Sequence, residues 1–179
     1  MLKPPSAGVN EWRIKFVSEG EFVAMPQMNK GGKYVFGKSL IRKDGSVFLP
    51  PMALREYDIT CEHRVYLFTG SKSTGGFCVT RKGLLLPSKL GHILTENPGL
   101  LEYALSESEF VRYKGRAYCW MDISADGVLR LSPKTLSFLN LETGMNLLSI
   151  RSSDIAFTMG ARGPLFEREK NFTGKIDVL

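Results

Sequence analysis

Apolar and polar residues alternate over several short stretches of the chain, a pattern typical of strands with one buried face. The stretches "SVFLP" at 46–50 and "VLRLSP" at 128–133 show it, and each ends in a proline, which has no N–H for a neighbouring strand. Proline also suits the first position of a helix, and apolar residues spaced three apart follow, so short helices are predicted from Pro51 and Pro133. Helices this short are marginal alone, and we expect them to pack on a sheet.

Each predicted helix is followed by two more strand-like stretches joined by a polar turn. They are "RVYLF" at 64–68 with "FCVTR" at 77–81, and "NLLSI" at 146–150 with "AFTM" at 156–159. The chain therefore repeats a unit made of a strand, a short helix and a hairpin.

The repetition is also visible residue by residue. "KDGSVFLPPMALREYDI" from Lys43 and "ADGVLRLSPKTLSFLNL" from Ala125 align without a gap, at a constant offset (126 − 44 = 82). Upstream, "SEGEFV" at Ser18 matches "SESEFV" at Ser106. Two matches in the same order indicate a duplication rather than chance similarity between β-rich segments. We predict an N-terminal extension at 1–17, repeats at 18–84 and 106–165, a connector at 85–105 and a C-terminal tail at 166–179.

The loop "GSKSTGG" at 70–76 has the composition of a phosphate-binding loop but not its spacing. A Walker loop runs from a strand into a helix as G-x-x-x-x-G-K-[ST], whereas this loop runs into the β-prone "FCV". The second copy has only "RSSD" there. We interpret the loop as a hairpin connection.

Two further segments have weaker patterns. The connector contains "SKLGHIL" at 88–94, which could form a helix between Pro, Gly and Asn residues. Residues 100–110 suit a helix, but their counterpart "WRIKFVSEGEF" suits a strand equally well, and the sequence leaves both open.

Composition narrows the function classes. The 179 residues carry a net charge of +6, which favours polyanionic partners such as DNA or RNA. Three distant cysteines and two histidines form no CxxC or other metal-ligand spacing, so we predict no metal site, no disulfide and no cofactor, and a cytoplasmic protein. The start lacks the apolar core of a secretory signal, and no run of about 18 apolar residues predicts a membrane span. No catalytic constellation emerges, and we expect no enzyme.

The repeated unit resembles the SpoVT/AbrB family. "LIRKDGSVFLPPMALREYDITCEHRVYLF" has that family's basic stretch, Asp-Gly turn, apolar strand ending in Pro, and short helix with Leu-Arg before a hairpin. "ISADGVLRLSPKTLSFLNLETGMNLLSI" resembles it too, including Gly144 before the hairpin. The resemblance implies a mainly β fold with short helices, in which two tandem swapped-hairpin units form a pseudo-symmetric β-barrel, with a connector that could be helical. In single-copy members two chains supply the units, whereas a tandem chain could supply both.

The resemblance also implies DNA contacts by basic residues near the Asp-Gly turn and on the short helix. Carried over by position, these are Arg42 and Lys43 before the turn and Arg55 on the helix. Lys33 and Lys38 in the preceding region could extend the patch. Such side chains would bind phosphates, and an arginine could read a guanine edge. The alternative is that they are ordinary solvated charges.

The second copy departs from the family pattern. Ser124, Ala125 and Ser137 stand opposite the three basic residues of copy one. Arg130 and Lys134 partly replace that charge at neighbouring positions. Both copies also lack the arginine that commonly follows the Asp-Gly turn, so a DNA-facing surface built from both would be lopsided unless two chains paired into a homo-oligomer.

The sequence thus predicts a non-catalytic transcription regulator that binds double-stranded DNA through the first repeat. The alternative is a protein-interaction or oligomerisation module of the same fold that does not bind DNA.

Overall fold

Antiparallel strands make up most of the fold. The computed structural model describes residues 14–18, 21–24, 34–164, 166–167 and 178–179. The strands are β1 (Ile14–Ser18), β2 (Glu21–Ala24), β3 (Val35–Leu40), β4 (Ser46–Phe48), β5 (Arg64–Thr69), β6 (Phe77–Thr80), β7 (Val111–Tyr113), β8 (Arg116–Asp122), β9 (Val128–Arg130), β10 (Asn146–Arg151) and β11 (Phe157–Gly160). The helices are α1 (Pro51–Tyr57), α2 (Lys82–Leu85), α3 (His92–Thr95), α4 (Pro98–Leu101) and α5 (Pro133–Phe138).

Seven strands form one sheet in the order β3-β10-β11-β6-β5-β8-β7. Strands β1 and β2 form a separate hairpin, and β4 pairs with β9 in a two-stranded ribbon, called the ribbon below. The predicted mainly β architecture with short helices is confirmed. The predicted closed barrel is wrong, because β3 and β7 end the sheet without pairing to each other in the described residues, and the ribbon packs over the sheet rather than bridging its edges.

The pairings between the two similar segments are reciprocal. Leu40 pairs with Asn146, and Asp122 pairs with Arg64, so each pair maps onto the other by the offset of 82 residues. In the ribbon, Ser46 pairs with Arg130 and Phe48 pairs with Val128. The offset of 82 residues converts the first of these pairs into the second. Strands β6 and β11 also pair with each other. Every one of these pairs joins the first segment to the second, within one chain.

Local sequence explains where the helices begin. Pro51 and Pro133 occupy the first turns of α1 and α5, as predicted from their fixed φ and missing N–H. At α5 the Ser132 hydroxyl also accepts a hydrogen bond from the N–H of Thr135 at 3.1 Å. No helix of the described ranges is both long enough and apolar enough to cross a membrane.

The sheet has a core on each face. On one face, β5, β6 and β11 pack against the ribbon, α1 and α5, through residues including Leu67, Val79, Phe157, Val47, Leu129, Ala53 and Leu136. On the other face, β5 and β8 pack against α2, α3 and α4, through residues including Phe68, Tyr118, Leu85, Ile93 and Leu100. Neighbours along a strand therefore serve opposite faces, as strand geometry requires.

The loop at 70–76 is the hairpin connection that the sequence predicted. It joins β5 to the antiparallel β6, whose ladder begins at the pair of Thr69 with Phe77. In the connector, α3 covers the end of "SKLGHIL" and α4 follows it. Residues 106–110 are irregular and lead into β7.

Candidate nucleic-acid interface

The ribbon divides its side chains between the core and solvent. Val47 and Leu129 pair with each other and are fully buried against the sheet. Phe48 and Arg130, which alternate with them, point away from that core, and Phe48 is 36% exposed. An exposed two-stranded ribbon is one of the elements that a DNA major groove admits.

The first Asp-Gly turn is a tightly bonded loop. The N–H of Gly45 donates to the Arg42 carbonyl at 2.8 Å, and the N–H of Arg42 donates to the Ser46 carbonyl at 3.0 Å. Asp44 Oδ1 accepts from the Ser46 N–H at 3.0 Å and from its hydroxyl at 2.6 Å. This local bonding accounts for the aspartate without any catalytic role, as the sequence suggested.

The ribbon brings an arginine of the second segment to this turn. Arg130 lies opposite Ser46, and its Nη1 is 3.3 Å from Asp44 Oδ2. Both side chains are more than half exposed, so this pair contributes little stability. The hydrogen bonds from Ser46, aided by Arg130, lower the pKa of Asp44.

Arg42 is positioned by an aromatic residue. Its guanidinium lies 4.5 Å from the centre of the Phe48 ring, a cation–π distance that limits the directions the side chain samples. Lys43, next along the turn, is exposed. Arg42, Lys43 and Arg130 together are called the turn cluster below.

The other basic residues predicted from the sequence are not part of the turn cluster. Lys134 is exposed on α5, three residues after Leu131, whose N–H donates to the Gly45 carbonyl of the same turn at 2.9 Å. Arg55 is exposed on α1, next to Leu54, which packs against Gly127 in the second Asp-Gly turn. The two turns lie at opposite ends of the ribbon, so Arg55 is separated from the turn cluster.

Lys38 is separated from the turn cluster by the sheet. The hydroxyl of the next residue, Ser39, donates to the Phe48 carbonyl of the ribbon at 2.6 Å, so Ser39 faces the ribbon. Lys38 pairs with Leu148 and faces the other way. Lys33 lies outside the described residues.

The turn cluster gains one contact that sequence reasoning missed. Phe48 was assigned to a strand but not to the interface, and only the alternation of "SVF" after the turn could have indicated that Phe48 faces outward beside Arg42. Arg130 was predicted, but its closeness to the first turn follows from the pairing of β4 with β9.

The described residues contain no group of three His, Cys, Asp or Glu side chains placed to hold a metal ion. Burial raises the pKa of the Cys119 thiol to about 12, which disfavours a nucleophilic thiolate there.

Comparisons of the chain with models of protein families, with curated proteins and with solved structures give no match.

Proposed function

We propose that this protein is a non-catalytic transcription regulator that binds double-stranded DNA, with the turn cluster on the ribbon as its contact surface. The observation that carries the proposal is that Arg130 of the second segment lies at the same exposed turn as Arg42 and Lys43 of the first. Three cations at one edge of an exposed ribbon suit a polyanion better than a neutral partner.

We also infer that the two segments are swapped-hairpin units of the SpoVT/AbrB type. The reciprocal pairing supports this inference, because the ladders β3–β10, β5–β8 and β4–β9 exchange by the offset of 82 residues, and the β6–β11 ladder is reciprocal at an offset of 80. The sheet is open, so the relation to that family would lie in strand exchange and in the Asp-Gly turns, not in a closed barrel.

The chemistry of the turn cluster matches two parts of DNA. Lys43 and Arg130 are exposed cations of the kind that neutralise phosphates and release counterions. Arg42 lies against the Phe48 ring, and an arginine held in this way could present its paired N–H groups to a guanine edge. We place the protein in the cytoplasm, where its three free cysteines would stay reduced.

The test is fluorescence anisotropy of the protein on mixed-sequence duplex DNA over a range of salt concentrations. The variant is Arg42→Ala/Lys43→Ala, and the matched control is Lys72→Ala/Arg112→Ala. The control removes one exposed lysine and one exposed arginine from outside the turn cluster. We expect wild-type binding to weaken with salt, and the slope of log K on log salt to flatten by about 0.9 for each phosphate contact that the variant loses.

Two results would contradict the DNA proposal. One is no binding by the wild type at low salt. The other is an equal loss in variant and control, because the binding would then depend on overall charge rather than on the turn cluster.

The alternative function is a protein-interaction or oligomerisation module. One observation favours it: Phe138 of α5 is 38% exposed and stacks on Phe110 at 4.0 Å, immediately before the edge strand β7. An exposed aromatic side chain beside the edge strand of a sheet is a feature of protein-binding surfaces. The alternative would be supported if the protein does not bind DNA but self-associates, and if Phe138→Ser abolishes that self-association.

A further inference from the structure

An open cleft of about 640 Å³ lies on the face of the sheet opposite the ribbon. Phe68, Cys78 and Tyr118 line it, and the alternate residues of the same strands face the ribbon side. The cleft therefore lies across the sheet from the turn cluster. Its volume falls within the range of about 300–1,000 Å³ that small-molecule sites occupy.

The floor of the cleft is aromatic. The rings of Phe68 and Tyr118 lie 5.2 Å apart and are inclined by 27°, and Ile150 and Ala156 extend this apolar surface. A flat ring of a ligand could lie on such a floor.

The walls of the cleft are cationic. Lys89, Arg162 and the pair Lys114 and Arg116 of the β7–β8 hairpin line it from three separate places in the chain, and His92 lies with them. None of the described lining residues is acidic. Glu96 accepts a hydrogen bond from the hydroxyl of Tyr113, which also lines the cleft.

The two arginines are held by the protein. Arg116 donates from Nη1 to the Thr69 carbonyl at 3.1 Å, and Arg162 donates from Nη2 to the Lys72 carbonyl at 2.8 Å. A guanidinium has five N–H donors, so each arginine keeps donors for a ligand while these bonds fix its position. Prior ordering of this kind lowers the entropy cost of binding.

Hydroxyl groups complete the lining. Ser71, Ser73 and Thr74 come from the hairpin loop at 70–76, and Ser152 and Ser153 come directly after β10. The loop is no Walker cradle, yet it contributes its hydroxyls to the same cleft as Arg162 and Lys114. A phosphate has several strong acceptor oxygens and more than one negative charge, and this mixture of cations and hydroxyls matches both properties.

We propose that the cleft binds a small phosphorylated molecule that carries a flat ring, with the phosphate among the cations and the ring on Phe68 and Tyr118. The ligand class follows from the combination of an aromatic floor with cationic, hydroxyl-rich walls. The site is independent of DNA binding, because it lies on the other face of the sheet.

The test is isothermal titration calorimetry of the full chain with the four ribonucleoside monophosphates, with adenosine and with inorganic phosphate. We expect at least one nucleotide to bind with a Kd below about 1 mM. Removing the phosphate, as in adenosine, should weaken binding about tenfold or more, because charge-assisted hydrogen bonds are lost.

The variant Lys89→Ala/Lys114→Ala should raise the Kd of that nucleotide about tenfold or more. Both lysines are exposed, so the variant should keep its fold, which its circular dichroism melting curve checks. The control is Arg55→Ala/Lys134→Ala, which removes two exposed charges from the ribbon side and should bind as the wild type does. The proposal is overturned if none of the nucleotides binds below about 1 mM, or if the variant binds as tightly as the control.

Discussion

Arg130 Nη1 lies 3.3 Å from Asp44 Oδ2, although the two residues are 86 positions apart in the chain. The contact exists because β4 and β9 pair in antiparallel register, which sets Arg130 opposite Ser46. This pairing adds a third cation, from the second segment, to a turn that already carries Arg42 and Lys43 from the first. It also means that a DNA phosphate must compete with Asp44 for that arginine.

Removing the charge of Asp44 should therefore strengthen DNA binding. Asp44→Asn keeps a side-chain oxygen for the Ser46 N–H but no longer neutralises Arg130. We expect tighter binding at low salt and a salt slope that is steeper by up to about 0.9. Asp126→Asn removes one negative charge at the second turn, and it should strengthen DNA binding less than Asp44→Asn does. An equal effect of both variants in the anisotropy assay would argue against a specific role of Arg130.

The same carboxylate should make stability depend on pH. Hydrogen bonds from Ser46, with a contribution from Arg130, hold the folded-state pKa of Asp44 below its ordinary value of about 3.9. A depressed pKa means that the ionised group stabilises the fold above about pH 4, and that this stabilisation is lost as the pH falls through the folded-state pKa.

Urea unfolding of wild type and Asp44→Asn checks this prediction. The wild type should have the larger free energy of unfolding at about pH 6, and the difference between the two proteins should be smaller at about pH 3. A gap that widens on acidification would mean that the pKa is raised in the folded state.

The two Asp-Gly turns should differ in their tolerance of alanine. Gly45 and Gly127 have similar φ values, 82° and 80°, so alanine costs about 1–2 kcal/mol of conformational energy at either. A Cβ at Gly45 would lie 2.1 Å from the Leu131 backbone oxygen, whereas one at Gly127 would meet the Leu54 side chain, with Cδ1 at 2.2 Å. A side chain can move out of the way more easily than a backbone carbonyl can.

We therefore expect Gly45→Ala to lower the free energy of unfolding by about 3 kcal/mol or more, and Gly127→Ala by less. The double variant Leu54→Ala/Gly127→Ala should be less destabilised than the sum of its single variants, because Leu54→Ala removes the clash. Additive losses would show that Leu54 does not limit position 127.

The sequence predicted the local elements well because their signals are local. Pro51 and Pro133 begin helices, and the stretches that alternate or run apolar between turn residues form strands. Sequence-based prediction failed for side-chain positions that depend on which distant strands and helices pack together. Lys38 faces away from the turn cluster because β3 pairs with β10 in a particular register, and Arg55 lies at the second turn because α1 packs there.

The cleft could not be predicted for the same reason. Its cations come from residues 89, 114, 116 and 162, which share no motif and meet only through the order of the strands. The open sheet was also missed, since alternation of apolar residues specifies a buried face but not whether the last strands pair with each other.

The three cysteines should differ sharply in reactivity. Cys61 is exposed, whereas Cys78 and Cys119 are buried, and burial raises the pKa of Cys119 to about 12. In a thiol-labelling assay at neutral pH we expect Cys61 to react first because it is exposed, although desolvation raises its pKa as well, and Cys119 to react only after unfolding. Cys61→Ser should remove the fast phase. A second fast thiol in the native protein would mean that the reagent reaches Cys78 through the cleft that it lines, or that the sheet opens at β8.

The hydroxyl of Tyr57 should stabilise the contact between α1 and the second segment. It donates to the Ser153 carbonyl at 2.7 Å, across 96 residues of sequence, and the neighbouring Glu56 pairs with Arg151 at the end of β10. Tyr57 is 3% exposed, so Tyr57→Phe would keep the packing and leave the Ser153 carbonyl without this donor.

We expect Tyr57→Phe to cost about 1 kcal/mol of unfolding free energy, measured by urea titration. Tyr113→Phe, at a hydroxyl bound to the exposed Glu96, is the matched control and should cost less, because water can replace its partner. Equal losses would mean that α1 is attached by Glu56 and Arg151 rather than by the tyrosine. The pair would then be the contact to remove next, and Glu56→Gln should loosen α1 without changing the apolar core.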